Sequence, residues 1–150
     1  MSLNTKKLDA LIKAFKGNVP VAQVGILANK NQRISGASNA SIGAAHEYGT
    51  ENLPVRSFLR LPITENLEKY LAKSGAFSKD VLAKVIASGS AVEWVRLIGF
   101  TAERIVADAF ASRGFGKWAP WKNPNYKNNS NMLLVDTTQL KGSISSRVKE

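Results

Sequence analysis

Apolar residues first recur at helical spacing. Leu8, Leu11, Ile12 and Phe15 predict a helix opened by Asn4 or Thr5 and stopped at Gly17, with Lys6, Lys13 and Lys16 mostly off its apolar face. The pattern then becomes a β-branched run, Val19 to Leu27, which predicts a strand; Pro20 lacks a backbone donor and belongs at its start or on an edge. Turn chemistry comes next over about residues 29–39, as a hairpin arm or a flexible loop. Asn39 or Ser41 opens a short helix ending at Gly49, with Ile42, Ala45 and His46 on one side. Residues 50–58 form an extended connector, since Pro54 biases Leu53 away from helix. Pro62 breaks the chain again. Thr64 then caps a helix whose apolar side is Ile63, Leu67, Tyr70 and Leu71, with Glu65 and Glu68 near its N-terminal end. Ser78 opens another short helix burying Val81, Leu82, Val85 and Ile86, and Gly89 separates it from the next helix.

The strongest periodicity runs from Ser90 to Ser112. Ala91, Val95, Ile98, Ala102, Ile105 and Ala109 form a seam, flanked by Trp94 and Val106, while Arg104 and Asp108 sit one turn apart on another side. At about 100° per residue Phe100 lands opposite the seam, either exposed without consequence or covered by another subunit or segment. A flexible loop of about residues 113–132 comes after it. Leu133 to Asp136 predicts a short strand, Thr137 to Gly142 a turn or single helical turn, and Ser143 to Val148 a final strand. Strands at both ends with helices between predict an α+β fold. It is a single domain over 1–150, with a small, mostly antiparallel sheet packed against the long amphipathic helix of about residues 90–112 and additional short helices.

Composition agrees with a globular domain that buries a core: 150 residues, 44% hydrophobic and 21% charged. No apolar run approaches the ~20 residues of a membrane span. Lys6 and Lys7 precede no apolar stretch with a cleavage site, so no signal peptide is expected. The absence of cysteine removes disulfides, thiolate catalysis and cysteine metal sites, and fits a reducing cytoplasm. The formal charge is +10 and uneven: Asp9 is the only acid before Glu47, and Ala109 to Val135 has none. Nucleic acid, an acidic protein surface, or a merely solvated basic face are the three readings of that charge.

Catalytic chemistry lacks its parts. His46 and Glu47 are adjacent, so on a helix they point about 100° apart, and no second histidine completes an HExxH zinc site. There is no G-x-S-x-G elbow and no phosphate-binding glycine loop; Arg113-Gly114-Phe115-Gly116-Lys117 matches neither standard spacing. No catalytic residue, cofactor or metal is therefore expected, and His46 is read as a half-buried side chain bonded to backbone or a nearby loop. Lys117 to Lys127 interleaves Trp118, Trp121 and Tyr126 with Lys117, Lys122 and Lys127. Such a loop stacks the bases of a single-stranded nucleic acid, or anchors itself on the domain or a neighbour.

Three segments in order carry a resemblance. "IGAAHEYGT" with "LPVRSFLR" (His46, Glu47, Tyr48, Gly49, Pro54, Arg56, Phe58, Leu59), "WAPW" (Trp118, Trp121) and "LLVDTTQLKGSI" (Asp136, Thr137, Leu140) resemble the virion-morphogenesis or tail-completion proteins of tailed bacteriophages and prophages. The likeness spans roughly Val21 to Val148. The group includes Mu-like and P2-like completion proteins and is similar in fold to tail terminators. Thr138 stands where the family has Gly, Ser57 where Pro is frequent, and Trp121 replaces a Leu. The resemblance implies a structural protein, not an enzyme. It would act at the tail–head junction or neck of the virion after assembly in the host bacterial cytoplasm, with tail-tube and neck or head-completion proteins as partners. Its expected working form is a homo-oligomeric ring, usually a hexamer. In that role a Pro-stiffened arm projects Arg56, Phe58 and Leu59 toward a neighbour, where Arg56 meets a carboxylate or chain end. The alternative is internal: Phe58 and Leu59 plug their own core, and Arg56 pairs with Glu47 or Asp136. Asp136 or Thr137 caps the turn that returns Leu140 and Ile144 to the core.

Overall fold

The computed structural model describes residues 5–16, 19–33, 36–122, 125, 133–134 and 138–150. The chain is α+β. Its elements are α1 (Thr5–Ala14), β1 (Val21–Ile26), α2 (Asn39–Tyr48), α3 (Arg60–Ser74), α4 (Lys79–Ser88), α5 (Val92–Ala111), α6 (Gln139–Gly142) and β2 (Ile144–Lys149), with one 3-10 turn at Ala28–Lys30. β1 and β2 pair antiparallel, from Val21 opposite Lys149 to Ile26 opposite Ile144, so the two ends of the chain close on each other.

α5 is the spine, with β1 and β2 against one side and α3 against another. Its buried stripe holds the expected Val95, Ala102, Ile105 and Ala109, and adds Gly99, Thr101, Val106 and Phe110 because two layers cover it. A Cβ on Gly99 would lie 2.9 Å from Ser146 Oγ and 3.0 Å from Ser146 Cβ, so only glycine lets α5 approach β2 this closely. At the C-terminal end of α5, Phe110 meets Phe58 (centroids 5.3 Å apart) and, edge-on, Trp118 (5.6 Å). Leu133 and Leu140 complete that cluster. Burying each large apolar side chain contributes about 1.5–3 kcal/mol.

Several local expectations are corrected. α3 begins at Arg60, before Pro62, which sits in the first turn where a helix amide lacks an intrahelical partner anyway. Ser38, not Asn39 or Ser41, caps α2, its Oγ accepting from Ser41 N at 3.2 Å. Asn39 is buried and fastens the preceding loop, donating from Nδ2 to Lys30 O (2.9 Å) and from its backbone N to Asn31 O (3.0 Å). Leu133 and Leu134 lie in a turn, not a strand, and Asn4, Gly17 and residues 135–137 fall outside the described residues. Asp108 accepts from the Tyr70 hydroxyl at 2.7 Å instead of pairing with Arg104. Thr138 holds φ +60°, a left-handed conformation that costs a β-branched residue about 1–2 kcal/mol. In α1 only Ala14 is buried; Leu8 and Ile12 are 44% and 46% exposed, because α1 packs chiefly on α4 at the edge of the molecule.

Candidate functional site

The segment His46–Arg60 folds into a polar knot centred on Glu47. The last turn of α2 aims the Glu47 carboxylate at the start of α3. Oε1 accepts from Ser57 Oγ (2.5 Å) and Arg60 N (3.0 Å), and Oε2 from Phe58 N and Leu59 N (3.0 Å each). Leu61 N donates to Ser57 Oγ at 3.0 Å. These amides are the ones a helix start leaves without partners, and they carry the positive end of its dipole. A carboxylate from one helix therefore caps another, with Arg60 Nε also 4.0 Å away.

Arg56 ties the knot to the loop after α5. Its backbone N donates to His46 O (2.8 Å), its Nε to Ala119 O (2.8 Å) and its Nη2 to Pro120 O (2.9 Å). Trp118 Nε1 donates back to Ser57 O at 2.8 Å. Gly49 makes the sharp exit from α2 at φ +76°, where a Cβ would fall 2.9 Å from Val55 Cγ2. His46 is half-buried, as its sequence context predicts, but its Nδ1 is buried without a hydrogen-bond partner. Desolvation, and then the charge of Arg56, lower its pKa below the ordinary histidine value. Burial likewise lowers that of Arg56.

The motif thus points inward. Glu47, Arg56, Phe58, Trp118 and Leu140 are buried, and Leu59 and Trp121 pack against the core. Within the chain the Arg56 side chain bonds two backbone carbonyls and not Glu47. Phe58 plugs its own core. Tyr48 of the motif is the exception, 68% exposed at the end of α2; beside it the arm exposes Val55 (52%) and Leu53, with Pro54 half-buried between them. Trp118 has no face free for a nucleobase, and Lys117 pairs with Glu65 at 2.6 Å. Tyr126, Lys127, Asp136 and Thr137 lie outside the described residues. Phe100 stands 56% exposed, away from the knot.

Sequence reasoning missed Ser57 and the carbonyls of Ala119 and Pro120. A serine in an extended connector and two backbone oxygens carry no pattern of their own. Among the described residues no group of three or more His, Asp or Glu is placed to hold a metal, and no helix is long and apolar enough to cross a membrane. The arrangement is a hydrogen-bonded knot that presents an exposed apolar arm. No family model, curated protein or solved structure matches this chain.

Proposed function

We propose that this chain is a non-enzymatic phage or prophage structural protein of the tail-completion or tail-terminator type, acting as a ring at the tail–head junction. One observation carries the reading. The segments whose order resembles that family are joined by the hydrogen bonds of one knot: His46 to Gly49 with the nearby Pro54 to Arg60, and both with Trp118 to Trp121, about sixty residues further on. Residues that recur together because they hold a shared fold have this arrangement. The side-chain hydrogen bonds of Glu47 and Arg56 go to serine and backbone groups, which suits a scaffold better than a reaction centre.

A ring needs a heterologous contact, one patch meeting a different patch on the next copy. Tyr48, Leu53 and Val55 on the arm, with Leu61 beside them, supply exposed apolar surface held in a fixed direction. The charge of +10 is complementary to acidic partner surfaces on tail-tube and neck proteins.

Electron microscopy of particles assembled without this protein tests the proposal. Tails of uncontrolled length indicate a terminator. Normal tails beside unattached heads indicate a completion role. Normal infectious virions reject both.

A further inference from the structure

A cleft of about 330 Å³ opens between α3 and α5, built from residues other than those of the knot. Its floor is tied across the two helices by the Tyr70 hydroxyl bonded to Asp108. The hydroxyls of Thr101 and Ser74 donate to carbonyls of their own helices, Leu97 O (2.8 Å) and Leu71 O (2.9 Å). Its rim carries Lys69 and Lys73, one turn apart on α3, with Arg104 and Phe100 on α5. None of these three cations takes part in the ion pairs among the described residues, which join Arg60 to Glu47, Arg96 to Glu93 and Lys117 to Glu65. With Asp108 the only acid lining it among the described residues, the cleft keeps an excess of positive charge there.

We propose that this cleft docks an acidic helical segment of a partner protein. The segment sets an apolar side chain against Phe100 and Leu97 and places carboxylates beside Lys69, Lys73 and Arg104. The chemistry selects this occupant over others. A small anion needs a convergent array of donors, and the cleft's own Ser74 and Thr101 hydroxyls are turned to their helices. A nucleic-acid strand needs aromatic faces in series along a basic track, and here Phe100 stands alone, since Tyr70 is half-buried with its hydroxyl held by Asp108. Lysines four residues apart match carboxylates at the same helical spacing on a docked helix, and an apolar anchor between them fits a groove between two helices. The inference stands apart from the tail reading, and its test involves no phage particle.

The test is selection from a random peptide library displayed on yeast, using the full chain as bait and counter-selecting on Lys73→Glu and Phe100→Ala. Both residues are exposed, and circular dichroism establishes that the variants fold. Selected peptides should carry Asp or Glu at helical spacing around an apolar residue. Their synthetic forms should bind about tenfold or more weakly to each variant. Lys13→Glu makes the same charge change on α1 and should leave binding within about twofold. The proposal is overturned by peptides lacking that pattern, or by peptides that bind the variants as tightly. It is equally overturned if a labelled thymidine oligonucleotide binds at about 0.1 M salt and is released by Lys73→Glu.

Discussion

Around Glu47 the chain buries polar groups and gives nearly every one a partner; along α1 it leaves apolar groups in solvent. The knot draws α2, the start of α3 and the loop after α5 together through directional bonds, and Phe58, Phe110 and Trp118 pack beneath it. α1 meets α4, and the edge-on contact of Phe15 with Trp94 (5.6 Å) is its one aromatic anchor among the described residues. A buried polar group fails all at once when a partner is removed, because the remaining donors stay desolvated. An exposed apolar group loses little. The residues most sensitive to change should therefore be the polar ones inside the knot, not the large apolar ones at the edge.

Glu47→Ala is the strongest way to break this contrast. It strands three backbone amides and the Ser57 hydroxyl in a buried site, and should cost about 3–5 kcal/mol in urea denaturation. Glu47→Gln keeps one acceptor oxygen but turns an NH2 group toward donors, so it should recover only part of the loss. A midpoint unchanged by Glu47→Ala would mean that the knot does not hold the fold. Trp118→Phe is narrower. Phenylalanine still fills space against Phe110 but leaves Ser57 O without its donor, at a cost of about 1–2 kcal/mol. If the variant is instead fully stable and loses affinity for single-stranded DNA, the ring is a base-stacking face and its assigned place in the core is wrong.

How much of this was visible in the sequence depends on how far apart the partners lie. The α5 seam, the Ser78 cap, the first and last strands and the α6 turn each rest on neighbouring residues, and each is where periodicity and capping rules put it. The start of α3 is not, because its cap is Glu47, thirteen residues before Arg60 and on another helix. The same holds for Arg56, whose partners are backbone carbonyls more than sixty residues away. The motif marks which residues matter but leaves Arg56 open between an outward and an internal role; its backbone partners show an internal one. That Phe100 lies opposite the seam is legible from helical geometry alone; the cleft beside it is not, since it exists only once α3 packs on α5.

Acidification should act on the knot through His46. His46 has a folded-state pKa below its unfolded value, chiefly from desolvation and then from Arg56. Above about pH 6.5, where the unfolded imidazole is also neutral, this group imposes no penalty. As pH falls through the unfolded value, the unfolded chain binds a proton that the folded one resists, so stability decreases until the folded pKa is passed. Urea midpoints measured from about pH 7.5 down toward about 5.5 should fall for the wild type and fall less for His46→Gln. Parallel curves for the two proteins would mean that another group carries the acid sensitivity.

The smallest expected effect lies on α1. Ile12 is 46% exposed, so Ile12→Ser removes little buried area, and serine lowers helix propensity only slightly. The isolated chain should lose no more than about 0.5 kcal/mol. A larger loss, of about 2 kcal/mol or more and dependent on protein concentration, would show that a second copy covers this face in solution, since binding to the folded state adds stability by mass action. The edge would then be an interface whose apolar residues are buried only on association. Leu8 and Ile12 would belong with the knot as structural positions, and the difference between the two regions would be one of timing, with the knot closing on folding and the edge closing on assembly.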